Sequence, residues 1–117
     1  MKLIEGGVCA AKGFTANGIH CGIRKNHSKK DLALILSSVP TSAAAVYTTN
    51  LVKGAPLTVT KNHFSNGIAQ AVICNSGNAN TCNANGIEIA EGMCAALAEA
   101  LPIDPKDALD IWSFAMK

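Results

Sequence analysis

The apolar run Ile68-Ala69-Gln70-Ala71-Val72-Ile73-Cys74 passes directly into Asn75-Ser76-Gly77-Asn78-Ala79-Asn80, and this junction constrains the fold more than any other stretch of the chain. So apolar a run demands burial and reads as a strand inside a sheet. Three carboxamides, a hydroxyl and a glycine within the next six residues read as a shaped loop. Asn both donates and accepts hydrogen bonds and tolerates the left-handed region, while Gly77 is free to adopt positive φ. In α/β proteins the carboxyl end of a buried strand is where ligands are commonly met. Asn75, Ser76, Gly77, Asn78 and Asn80 are therefore the candidate site residues, with a role in shaping the site rather than in direct proton transfer. The alternative, in which these amides only cap strand and helix ends, stays open at this point.

Beyond the loop the period changes from strand-like to helical. Ile87, Ala90, Cys94, Leu97 and Leu101 recur three or four residues apart, with Glu88, Glu91 and Glu99 off the stripe, which predicts a helix over 87–101. Asn85 is placed to cap it and Glu88 to reach back as in a capping box. Pro102 ends it, and Pro105 opens a short helical turn through Asp107-Ala108-Leu109. Upstream, Asn17-Gly18 predicts a type I′ turn between two strands. Leu32-Ala33-Leu34-Ile35-Leu36 reads as a buried strand, Pro40-Thr41-Ser42 as a break before a second strand-like apolar run over 43–49, and 56–60 as a further short strand. Asn66-Gly67 is a stop signal. Strands clustered ahead of a helix make the chain α/β or α+β.

Composition narrows the function classes. With 49% hydrophobic and 15% charged residues the chain is set for folding rather than disorder, and its surface is so short of charge that a covering partner is expected. A net charge of +2 and 4% aromatic residues supply neither the electrostatic footprint nor the stacking platform of a nucleic-acid binder. The segment Arg24-Lys25-Asn26-His27-Ser28-Lys29-Lys30 reads as a solvated loop. Cys9, Cys21, Cys74, Cys82 and Cys94 form no CxxC pair and follow no secretory signal, which points to reduced thiols in a cytoplasm. His20, His27 and His63 are scattered, so no metal site is assigned. The apolar stretches fall short of the roughly 20 residues that span a bilayer, so no membrane partner is expected. Lys12, Lys53, Thr48, Thr49 and Cys74 read as surface or packing residues, and His63 has no partner nearby in sequence. With no Ser-His-Asp set, P-loop or GxGxxG present, no catalytic residue and no cofactor are assigned.

Four blocks in order, Lys12-Gly13-Phe14, Lys30-Asp31-Leu32-Ala33-Leu34-Ile35, Val46-Tyr47-Thr48-Thr49-Asn50-Leu51-Val52-Lys53-Gly54-Ala55-Pro56 and Val72-Ile73-Cys74-Asn75-Ser76-Gly77-Asn78-Ala79-Asn80, carry a resemblance. Over residues 5–109 the chain resembles the N-terminal part of the ornithine acetyltransferase family, the bifunctional glutamate N-acetyltransferases of arginine biosynthesis. That resemblance implies an αββα-type sandwich and an N-terminal-nucleophile chemistry. In the family the precursor cuts itself before a threonine, which then takes the acetyl group from N-acetylornithine and passes it to glutamate. Some members also use acetyl-CoA as a co-substrate. A Thr-Gly pair supplies the oxyanion hole. Neither the nucleophilic threonine nor that pair is matched in this sequence, where Ser113 is followed by Phe114. The expectation is an N-terminal domain over 1–109 with a divergent tail over 110–117. It would be inactive alone and dependent on the nucleophile-bearing remainder of the parent enzyme. A non-catalytic structural or binding remnant is the alternative.

Overall fold

The structure, a computed structural model, describes residues 2–77, 81 and 84–112, with side chains through Leu109. Four strands make one sheet in the order β1 (Phe14–Ile19), β2 (Leu32–Ser42), β3 (Ile68–Asn75) and β4 (Ala108–Trp112). β1 and β3 both pair antiparallel with β2, while β4 lies parallel to β3. Helix α1 (Ala55–His63) falls between β2 and β3 in the chain, and α2 (Gly86–Ala100) between β3 and β4. A parallel pair cannot be closed by a tight turn, and α2 supplies the crossover it needs.

The core follows from the two periods. Along β3, Ala71, Ile73 and Asn75 are buried, and opposite them in register stand Leu36, Leu34 and Leu32 of β2. That face meets Val59 of α1, Ala90, Cys94 and Leu97 of α2, and Ala108 of β4 in one cluster. Alanine and cysteine at four of these positions let the helices lie close to the sheet. The other face carries Ile35 opposite Val72 and Val72 opposite Leu109, with Phe14 beside them lining a shallow groove. No helix of the described residues packs there.

The expected mixed α/β architecture is what forms, as do the buried strand 68–74 and the helix behind it. Several local expectations need correction. Residues 56–60 are helical: Pro56 sits in the first turn of α1, where its fixed φ suits a helix, and Lys61 and His63 occupy the last turn, where the dipole favours cations. The β-branched run Thr58-Val59-Thr60 suggested a strand, but the full burial of Val59 against α2 and the sheet outweighs that preference. Asn17-Gly18 lies inside β1 rather than in a turn, with Gly18 opposite Ala33. A side chain at Gly18 would press on Lys30 and the Leu32 carbonyl, at 3.3 and 3.4 Å, so the glycine serves close strand approach. β2 runs on through Pro40 to Ser42 across an irregularity between Leu36 and Thr41, and segment 43–49 forms no strand. Asn85 stands at the N-cap of α2 with no side-chain capping bond, so the capping box is not made. Ile87 points away from the stripe and is 52% exposed. Pro105–Asp107 is a single 3-10 turn, and Ala108 already belongs to β4.

His63 fastens the layers. Its Nδ1 donates to the Ala108 carbonyl at 3.0 Å, and its Nε2 lies 3.0 Å from Glu91 Oε2 of α2, so the end of α1 is tied to both α2 and β4. His63 closes α1 and, with no partner nearby in sequence, finds its partners 28 and 45 residues away.

Leu97 contributes the largest apolar side chain of α2 to the buried cluster. Replacing it by alanine is expected to cost about 2–5 kcal/mol in unfolding free energy, as for other buried leucines. Denaturant titration of Leu97→Ala checks this, and a loss under about 0.5 kcal/mol would show that α2 does not pack as described.

Candidate functional site

The end of β3 is organised by a residue on the preceding loop. Asp31, at the close of connection 20–31, donates its backbone N–H to the Ile19 carbonyl at 2.9 Å and so shuts the mouth of the β1–β2 pair. Its side chain is fully buried. Oδ1 accepts from Cys21 N at 2.7 Å, Oδ2 accepts from Arg24 N at 2.9 Å, and His20 Nδ1 lies 3.0 Å from Oδ2. Burial by itself would push the carboxyl toward the neutral form. The two backbone donors, the Cys21 thiol and His20 more than offset that, holding Asp31 well below the usual carboxylate range.

The same residue holds the candidate loop. The Asp31 carbonyl accepts from Ser76 N at 3.0 Å and from Ser76 Oγ at 3.4 Å, while Arg24 Nε donates to the Ser76 carbonyl at 2.9 Å. Connection 20–31 and the end of β3 are thus stitched together from both directions. Asn75 is buried, and its Oδ1 accepts from Gly77 N at 2.8 Å, the hydrogen bond of an Asx turn. Its side-chain oxygen is used in forming the loop. Gly77 lies so close to Ile23 that a methyl group there would overlap the Ile23 side chain. Asn78 and Asn80 lie outside the described residues.

Two histidines extend the network outward. His20 Nδ1 faces two acceptors, the Lys29 carbonyl at 3.1 Å and Asp31 Oδ2, so this nitrogen donates. Its Nε2 is then free to accept from His27 Nδ1, 3.1 Å away with the rings edge to face. The result is a chain from a buried carboxylate through a half-buried imidazole to an exposed one. Such a chain can orient an imidazole and move a proton. It activates no nucleophile: the neighbouring Cys21 thiol is pushed up by burial and by Asp31, which keeps it protonated. Cys94 is buried and donates to the Ala108 carbonyl. No group of three His, Cys, Asp or Glu side chains among the described residues is disposed to hold a metal ion. No helix among them is long and apolar enough to cross a membrane.

The structure therefore brings Asn75, Ser76 and Gly77 to one place and adds Asp31, Arg24, His20 and His27, none of which sequence reasoning had assigned. Arg24 departs from the expected solvated loop, since its guanidinium is half-buried against Ser76. One signal was available: Asp31 is an acid set directly before an apolar strand, an expensive position unless its carboxylate is fully hydrogen-bonded.

Comparison with known proteins places this geometry. The ArgJ family model matches residues 15–112. The arginine biosynthesis bifunctional protein ArgJ of Symbiobacterium thermophilum is 48% identical over 108 residues, covering 91% of this chain and 27% of that protein. The ArgJ protein of Listeria monocytogenes serovar 1/2a is 46% identical over 115 residues, 97% of this chain and 28% of its own length. Among solved structures, the Bacillus halodurans arginine biosynthesis bifunctional protein superposes with a TM-score of 0.86 at 42% identity, over 95% of this chain and 58% of that one. The Mycobacterium tuberculosis ornithine acetyltransferase complexed with ornithine gives 0.77 at 31% identity, over 92% and 59%. The chain spans about 27% of the length of the curated relatives it matches.

Two substitutions test the site's construction. Asp31 titrates lower when folded than when unfolded, so it stabilises the fold above about pH 3.8, its ordinary value, and that stability is lost as pH falls from there through the folded value. Asp31→Asn is expected to lower the melting temperature at pH 7 and to flatten the acid limb of a stability–pH profile. An acid limb unchanged in slope would show that the carboxylate is not the anchor. Gly77→Ala should cost about 1–3 kcal/mol through the clash with Ile23, and Ile23→Ala in the same chain should recover part of it, as a double-mutant cycle measures.

Proposed function

The chain belongs to the ArgJ family, and from that premise we propose that it is the N-terminal portion of a bifunctional glutamate N-acetyltransferase, acting only together with the rest of that enzyme. The observation that carries this reading is the apolar sheet face of Phe14, Ile35, Val72 and Leu109, which no helix among the described residues covers, in a chain spanning about 27% of its relatives' length. Further polypeptide packing on that face would remove the apolar surface from water, at about 25 cal/mol per Å².

Chemistry points the same way. Acetyl transfer through an acyl-enzyme needs a nucleophile beside a base, and donors aimed at the developing oxyanion. Among the described residues His20 bonds to His27 and to Asp31, His63 is held by Ala108 and Glu91, and Cys21 is held as a thiol. In our reading the nucleophilic threonine and the oxyanion donors come from the remainder, in a cytoplasmic enzyme. N-Acetylornithine would give up its acetyl group to that threonine, leaving ornithine, and glutamate would take it in the second step. Acetyl-CoA would serve only as an alternative donor. This chain's part is to hold the loop Asn75-Ser76-Gly77 in place at the end of β3, with Asn78 and Asn80 continuing it. That the relative from Mycobacterium tuberculosis was solved with ornithine supports the substrate class.

Co-expression with the remainder of a relative's ArgJ provides the test. The two parts are expected to co-purify and to convert N-acetylornithine and glutamate to ornithine and N-acetylglutamate, whereas the 117-residue chain alone should give no ornithine above the uncatalysed rate. Turnover by the chain alone that survives repurification would overturn the need for the remainder. Co-purification without turnover would favour the structural remnant.

A further inference from the structure

Residues 25–29 form a turn that is closed on itself. Asn26 Oδ1 accepts from Ser28 N at 3.0 Å and from Ser28 Oγ at 2.7 Å, and the Asn26 carbonyl accepts from Lys29 N at 3.3 Å. The side chains are exposed, so packing does little to hold the turn in place. Among the described residues, the hydrogen bonds that fasten it to the rest of the molecule both end on His20: the Lys29 carbonyl on Nδ1 at 3.1 Å, and His27 Nδ1 on Nε2 at 3.1 Å.

His20 Nδ1 faces two acceptors, the Lys29 carbonyl and Asp31 Oδ2, and so carries a proton whether the ring is neutral or charged. The contact with His27 then rests on two nitrogens, of which one must accept. With both rings neutral, His20 Nε2 accepts from His27 Nδ1. One added proton leaves the bond intact, because whichever ring is cationic donates to the other. A second leaves two donors facing each other, in rings whose centroids are 4.9 Å apart. The surrounding charges do not relieve this. Asp31 meets the pair on the His20 side, but connection 20–31 otherwise carries Arg24, Lys25, Lys29 and Lys30, and Cys21 is held as a neutral thiol. β1, β2 and β3 through Gly77 bring no acidic or basic side chain.

We propose that His20 and His27 form a proton-operated latch: the turn 25–29 stays closed on His20 while the pair holds at most one added proton, and swings free when both rings are charged. The open form binds one proton more than the closed form, so it gains as pH falls below the ordinary histidine range, about 6.5. Asp31 does not titrate with the latch. Held well below the usual carboxylate range, it stays ionised through that window, and its backbone donors from Cys21 and Arg24 carry no titrating proton. Opening is therefore local, with Asp31, Arg24 and Ser76 still joined after the turn has left. The latch involves no acetyl transfer and needs no remainder of a longer enzyme.

The test is ¹⁵N relaxation on the labelled 117-residue chain at pH 7 and pH 5. Order parameters of the His27, Ser28 and Lys29 amides are expected to fall from the rigid range, about 0.85, to below about 0.6, while those of Cys21, Arg24 and Ser76 stay unchanged. His27→Gln removes the second charge and keeps a side chain that can donate to His20 or accept from it. In that variant the turn should show the same order at both pH values. A turn still rigid at pH 5 in the unaltered chain would overturn the proposal, as would a transition that persists in His27→Gln. Loss of order at Cys21, Arg24 and Ser76 together with the turn would also overturn it, since the opening would not be local.

Discussion

The buried Asp31 carboxylate is the constraint on which the rest of the site depends. Connection 20–31 has no regular structure, and residues 25–30 are exposed, so burial cannot fix its path. Hydrogen bonds to one charged group do: backbone donors from Cys21 and Arg24 and the ring of His20 converge on the two oxygens. An ionised carboxylate is costly to bury, and it persists only because each of those donors is aimed at it. Leu32, the next residue, stands opposite Ile19 on one side and Asn75 on the other. Register at the mouth of both strand pairs and the position of the candidate loop are therefore set at the same point in the chain.

A second constraint is that, among the described residues, helices pack on one face of the sheet alone. Small residues, Ala71, Ala90, Cys94 and Ala108, let α1 and α2 settle on that face, with Val59, Ile73 and Leu97 filling the space between. Across the sheet Phe14, Ile35, Val72 and Leu109 form an apolar strip on a face that no helix among the described residues covers. Val46 and Leu51 are almost wholly exposed, at 100% and 97%. So much uncovered apolar surface fits a family whose members are more than three times as long as this chain.

Much of the fold was legible because its signals are local. An apolar run ended by amides and glycine is a strand followed by a loop, and β3 ends at Asn75. A stripe at Ala90, Cys94 and Leu97 is a helix face, and those three residues are buried. Two of the failures share one cause. Thr58, Val59 and Thr60 prefer strands, yet packing against α2 holds them in a helix, and Asn17-Gly18 offers a turn that pairing with β2 overrides. At both places a weak local preference competes with burial or with a ladder of hydrogen bonds, and loses.

By itself the sequence determined the class of fold, the two elements that bracket the candidate loop, and the identity of the residues in that loop. Tertiary structure alone decided what those residues do. Asn75 turns inward to shape its own loop, Ser76 is held by Asp31 and Arg24, and three histidines that are scattered in sequence each find a partner. The reason is physical: periodicity records which face a side chain takes within its own element. It carries no information about pairs such as Arg24 and Ser76, 52 residues apart, or His63 and Glu91, 28 apart. Those contacts exist only once the sheet has brought its strands together.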